Sequence, residues 1–132
     1  AGSSSLMNCH PFMFDRVAMA FPRLKMIVAH LAHPWQADCM TVVRKHPNVW
    51  TEMSGVFYRP WSFWNSMRIF HEWGVMDKVM LASDWPLTEP QDNIDGLRNL
   101  NKFAADHHLP SIPEGEIEGI INRDALDILG IG

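Results

Sequence analysis

Lys78-Val79-Met80-Leu81-Ala82-Ser83-Asp84-Trp85-Pro86 is an apolar run that stops at a carboxylate and a proline turn. A short buried strand that presents Asp84 at its carboxyl end accounts for this pattern. A second stretch has the same design: Leu24-Lys25-Met26-Ile27-Val28-Ala29-His30 is an apolar run that ends in an imidazole. In α/β proteins, the loops leaving the carboxyl ends of parallel strands line the ligand crevice or barrel mouth. A carboxylate and a histidine delivered to one sheet edge are the materials of a metal or acid–base site.

Outward from these strands, the chain alternates helix and strand. Residues 11–21 carry Phe14, Val17, Ala18 and Phe21 at helical spacing. After His30, a turn through His33-Pro34 leads to a helix from about Trp35 to Lys45 that can bury Cys39, Met40 and Val43, and Pro47 stops it. Residues 48–55 read as a middle strand closed by Gly55, and a loop with Pro60 opens a helix with Phe63, Met67 and Phe70 inward. Beyond Asp84, Thr88-Glu89-Pro90-Gln91 predicts a capping box before a helix through Ile94, Leu97 and Ala104. Ser111-Ile112-Pro113-Glu114 predicts another, before a last helix with Ile117, Ile120, Ile121, Ala125 and Ile128 inward and Gly130 as its stop. Strands joined by helical crossovers form a parallel sheet. With no linker or low-complexity tract, residues 1–132 read as one α/β unit. Three strands are few for a closed architecture, since a (β/α)8 barrel takes about 250 residues, so the expectation is part of something larger.

Composition narrows the function. Hydrophobic residues make up 47% and charged residues 20% of the chain, a globular balance. The net charge is −4 and the eleven Lys and Arg form no basic block, which argues against nucleic acid or an acidic membrane as partner and for a small-molecule substrate. Cys9 and Cys39 have no CxxC spacing, so a reducing cytoplasm is the expected compartment. No apolar run reaches the roughly 20 residues of a membrane span, and the opening Ala1-Gly2-Ser3-Ser4-Ser5 has neither the basic nor the apolar region of a signal peptide.

For Asp84 two readings compete: a turn or helix cap, or a metal ligand that also carries a proton. His30 is its partner by equivalence of position. His33 stands three residues on and either lines the pocket or lies on the surface. Glu52 shares a strand face with Trp50 and Ser54, and a carboxylate there is either functional or paired, because burying it alone is costly. The loop Val56-Phe57-Tyr58-Arg59-Pro60-Trp61 reads either as packing over the rim or as a substrate wall, with Arg59 binding a carboxylate or lactone oxygen. Trp85 offers an apolar wall beside Asp84. His46, His71, His107 and His108 are expected to be solvated, and His10 is ambiguous. No GxSxG elbow or phosphate-binding glycine loop is present, which leaves metal-assisted chemistry as the leading enzyme class.

Together, Phe21-Pro22-Arg23-Leu24-Lys25, Ala29-His30-Leu31-Ala32-His33-Pro34-Trp35 and Ser83-Asp84-Trp85-Pro86 resemble the amidohydrolase-related metal-dependent hydrolases of TIM-barrel fold. Ile121-Asn122-Arg123-Asp124-Ala125 looks like that family's closing segment. The resemblance implies that the chain is the carboxyl-terminal part, about strands six to eight with flanking helices, of a (β/α)8 barrel. It implies Asp84 as the eighth-strand metal ligand and proton carrier. It implies His30 as the sixth-strand histidine, which contacts the reacting water or a second metal. The family's HxH pair belongs to a strand this chain lacks, and its fifth-strand histidine is expected just before Ala1, with Gly2-Ser3-Ser4-Ser5 as the following loop. Ala32 departs from the family, which usually has glycine there. Zinc is the expected metal and manganese suits the same ligands.

The function expected of the parent protein is hydrolysis of a small lactone, ester or amide. Its nearest rival is non-oxidative decarboxylation of an aromatic or unsaturated acid in the same site, and a non-catalytic binding or oligomerisation module is the alternative of another class. An open sheet edge favours completion by the missing half or a homo-oligomer. The chain alone is expected to bind metal weakly and to be inactive.

Overall fold

The computed structural model describes residues 5–132, so the loop expected at residues 2–5 falls almost entirely outside them. Three strands form one parallel sheet in the order β1-β2-β3: β1 is Met26–Val28, β2 is Val49–Glu52 and β3 is Val79–Met80. Met26 is in register with Val49, Val28 with Thr51, and Glu52 with Met80. α1 (Phe12–Ala20) precedes β1, α2 (Gln36–Lys45) crosses from β1 to β2, and α3 (Pro60–Glu72) crosses from β2 to β3. This is the parallel, helix-connected sheet of a partial barrel.

Apolar periodicity explains the crossovers. α2 buries Cys39, Met40, Val42 and Val43 against the sheet, with Asp38 in its first turn and Arg44 and Lys45 in its last, each on the favourable end of the helix dipole. α3 begins with Pro60 and buries Phe63, Trp64, Met67 and Phe70. Thr51, fully buried in β2, donates its hydroxyl to the Val28 carbonyl at 2.8 Å and adds a side-chain rung to the β1–β2 ladder.

The strands are shorter than the apolar runs that announce them. His30 stands two residues beyond β1, in a left-handed turn within Ala29–Ala32, and Asp84 stands four beyond β3. The carboxyl-terminal helices are also more broken than their periodicity suggests. α4 (Pro90–Arg98) and α5 (Leu100–Asp106) are separated at Asn99, and α6 (Glu114–Ile121) and α7 (Ala125–Leu129) at residues 122–124. The first capping box lies one residue later than expected. Glu89 is the N-cap and Asp92 its reciprocal partner, because the Thr88 hydroxyl is committed to the Ser83 carbonyl. Ser111 caps nothing. α6 starts after Pro113, and Glu114 instead accepts from the Asn101 amide at 2.6 Å.

The second helix break has a clear cause. Asp124 caps α7 through the Asp127 N–H at 2.9 Å, while Arg123 reaches back to the Met76 and Val79 carbonyls at the entry to β3. Gly130 ends α7 in the left-handed conformation, as its place in the sequence suggests. His46 corrects another expectation: it is buried, at 7% exposure, with its Nε2 2.7 Å from Asp15 Oδ1.

Candidate functional site

Beyond the carboxyl ends of β1 and β2 lies an open cavity of about 170 Å³, lined by His30, His33, Gly55, Val56, Tyr58, Arg59 and Asp84. A larger groove of about 520 Å³ runs over the helical exterior beside Met40, Arg44, Lys45 and Trp73. The smaller cavity holds the carboxylate–imidazole pair and is therefore the candidate site.

His30 Nε2 lies 4.0 Å from Asp84 Oδ1. Both residues have positive φ, 54° at His30 and 60° at Asp84. Side chains with a Cβ rarely adopt this region, and residues held there cluster at functional sites. Asp84 caps no helix, since the cap of α4 is Glu89. Its loop is pinned from behind: the Ser83 carbonyl accepts from the Thr88 hydroxyl and from the fully buried Asn93 amide at 3.3 Å.

His30 is held from its other side. Its Nδ1 lies 3.0 Å from Ser54 Oγ and 3.1 Å from the Ser54 carbonyl. Glu52 does not line the cavity. Its side chain is 12% exposed, and its two carboxylate oxygens accept the backbone N–H groups of His30 and of Ser54, each at 2.6 Å. Of the two readings of Glu52, the paired one therefore describes its environment. Next to it, Gly55 has a φ of 65°, and a Cβ there would stand 3.4 Å from Asp84 Oδ2 and 3.7 Å from His30 Nδ1. A glycine fits because the backbone is left-handed and the carboxylate and imidazole close over it.

Arg59 lines the cavity with its guanidinium tethered to the Gly55 carbonyl at 3.1 Å and lying 4.5 Å above the Tyr58 ring. His33 is exposed and also lines the cavity. Its Nδ1 is 2.7 Å from the Gln36 amide, so both of its expected placements hold at once. Trp85 is not brought in. Its side chain is 70% exposed and outside the lining, while its N–H turns back to Ser83 Oγ at 3.2 Å. Sequence reasoning missed Ser54 as the partner of His30, whereas Val56, Tyr58 and Arg59 of the aromatic loop read as a possible substrate wall do line the cavity. The one available signal was Ser-Gly directly after the middle strand, which marks a backbone able to pass close to a neighbour.

The donor set suits a divalent cation in part. An imidazole nitrogen facing a carboxylate is a two-ligand arrangement. For bonds of about 2.0–2.2 Å, two tetrahedral ligands stand roughly 3.4 Å apart, shorter than the observed 4.0 Å. Among the described residues no group of three or more His, Cys, Asp or Glu side chains could hold a metal ion. The described residues thus offer two candidate ligands where a catalytic zinc usually takes three. No described helix is long and apolar enough to cross a membrane.

A family model described as amidohydrolase matches residues 9–131. Among solved structures, an uncharacterized TIM-barrel protein from Bordetella bronchiseptica is similar over 96% of this chain, at 20% identity and a TM-score of 0.64. This chain covers 41% of the length of that protein. No curated protein matches it.

Proposed function

The chain belongs to the amidohydrolase family, and from that premise we propose that it carries part of the active site of a metal-dependent hydrolase of small lactones, esters or amides. The single observation that supports the reading is the convergence of Asp84 and His30, from loops after two different strands, to 4.0 Å in one cavity. Asp84 and His30 would hold a divalent cation, zinc or manganese, whose chemistry is to polarise the scissile carbonyl and to make water acidic at neutral pH.

This chain's own residues do the rest. Asp84 accepts the proton of the attacking water and returns it to the leaving group. His30 Nε2 serves one of two uses at a time: it would be the second ligand, or, where Asp84 alone held the cation, the atom that orients that water. The Arg59 guanidinium is the cation on the cavity wall, placed to bind a substrate carboxylate or the oxygen on which charge develops. His33 and Tyr58 complete the wall.

The test is hydrolysis of a lactone series by the whole parent protein loaded with zinc or manganese. Asp84→Asn should lower kcat by about 10²–10⁴-fold, the usual worth of a positioned proton carrier. Turnover unchanged in that variant would sink the assignment. Carbon dioxide released from a phenolic acid, with no lactone opened, would transfer the site to the decarboxylase reading. The 132-residue chain alone should turn over neither substrate.

A further inference from the structure

We propose that Ser54 and Glu52 form a positioning device that fixes His30 as its Nδ1–H tautomer and leaves the Nε2 lone pair facing Asp84. The use made of that lone pair rests on the functional reading above, whereas the tautomer itself rests on geometry.

Three oxygens surround Nδ1: the Ser54 carbonyl at 3.1 Å, Ser54 Oγ at 3.0 Å and Glu52 Oε1 at 3.5 Å. A carbonyl and an ionised carboxylate can only accept, and the hydroxyl can accept as readily as it donates. An unprotonated Nδ1 would bring its lone pair against at least two others. A proton on Nδ1 can be donated to Ser54 and also lies toward the Glu52 carboxylate, and in a neutral ring the lone pair then belongs to Nε2. Nε2 is the atom turned to Asp84 Oδ1. A ring whose second nitrogen is held by a carbonyl or carboxylate is what orients a ligating or water-binding imidazole.

Glu52 sets the backbone as well as the proton. Its Oε1 accepts the N–H of His30 at 2.6 Å, where φ is 54°, and its Oε2 accepts the N–H of Ser54 at 2.6 Å. One carboxylate thus ties the chain leaving β1 to the chain leaving β2. An amide cannot replace it, because its NH₂ would oppose one of the two N–H donors.

The test is ¹⁵N NMR of the His30 ring in the metal-free chain at alkaline pH, where a model histidine is neutral. The spectrum should show a protonated Nδ1 and an unprotonated Nε2. Glu52→Gln, which removes the carboxylate, should move the tautomer ratio toward Nε2–H by about five-fold, the effect of one net hydrogen bond. Ser54→Ala, which keeps the carbonyl and loses only a hydroxyl able to serve either tautomer, should leave the ring mainly Nδ1–H. Backbone amide shifts that match the wild type guard against a variant that merely folds poorly. A wild-type ring found mainly as Nε2–H, or a ratio unmoved in folded Glu52→Gln, would overturn the device. Zinc titration of the whole parent protein and its Glu52→Gln variant separates the two readings, because an outer partner of a ligand is worth about 10–100-fold in metal affinity. If Glu52→Gln shifts the tautomer while the wild-type parent shows no zinc affinity, the metal reading fails and the positioning device stands.

Discussion

His30, Leu31 and Ala32 make one left-handed turn without a glycine, with φ of 54°, 53° and 52°. Each such residue costs roughly 1–2 kcal/mol, so the surroundings must impose the turn. Leu31 is fully buried and Ala32 nearly so, while Glu52 holds the His30 N–H. Ala32 is the position at which strain can be relieved without touching the site, and it is where the resembling family usually has glycine. Ala32→Gly should stabilise the chain by about 0.5–1 kcal/mol, after the entropy glycine adds to the unfolded state is subtracted. The denaturant midpoint checks this, and a fall in stability would mean that the methyl packs better than the backbone is strained. Asp15 is a second residue whose surroundings set its behaviour. Hydrogen bonds from Lys45 and His46 hold its carboxyl below the ordinary value of 3.8. A depressed folded pKa stabilises above the unfolded value and is lost as pH falls through the folded one. Asp15→Asn should therefore cost about 1 kcal/mol at neutral pH, a figure kept small because Lys45 is half exposed, and the loss should fade in acid as pH drops through the lowered folded value. Unfolding curves that differ equally at both pH values would remove the linkage.

At the scale of elements, α4 props the site from outside it. Gly96 faces the loop after β2, and a Cβ there would lie 2.5 Å from the Phe57 Cβ, closer than side chains approach. The glycine is needed for packing and not for its backbone angle. Gly96→Ala should push Phe57 outward at a cost of about 1–3 kcal/mol. Because Tyr58 and Arg59 follow Phe57 directly, substrate affinity in the parent should fall more than kcat, and a KM unchanged in a folded variant would uncouple α4 from the cavity. The same helix pins the other side of the site. Asn93 donates to the Ser83 carbonyl, to Thr88 Oγ1 and to the Glu89 carbonyl, so α4 braces two of the three loops that line the cavity. The bidentate Arg98–Glu118 pair, at 2.9 and 3.1 Å, then ties α4 to α6.

Over the whole molecule, the alternation of strand and helix was legible because apolar period and Pro/Gly punctuation agree from α1 to α3. The helix breaks at Asn99 and Arg123 were not, since the residues inward on either side keep a helical period across both. The Asp84–His30 pair was legible because each closes an apolar run, a purely local pattern. The support beneath it was not: Ser54 and Glu52 meet His30 through the Val28–Thr51 register, a pairing between segments more than twenty residues apart. Cys39 reports on this assembly as a unit. It is fully buried where α2 meets the sheet, and burial pushes its thiol up from 9.0 to about 11. A thiol whose folded pKa is raised contributes its stability in full below pH 9 and loses it as pH rises toward 11, because only the unfolded chain ionises in that window. The loss is on the order of 2 kcal/mol. Chain stability should therefore decline between those pH values, and Cys39→Ala should flatten that decline while lowering stability at neutral pH through lost packing. Thiol labelling gives an independent measure, since Cys9 is exposed and Cys39 is not. Cys9 should react at once and Cys39 only through opening of the α2–sheet core, at a rate that tracks global stability across denaturant. Labelling of Cys39 as fast as Cys9 in native buffer would show that the three-stranded sheet and its helices do not hold together as one cooperative unit.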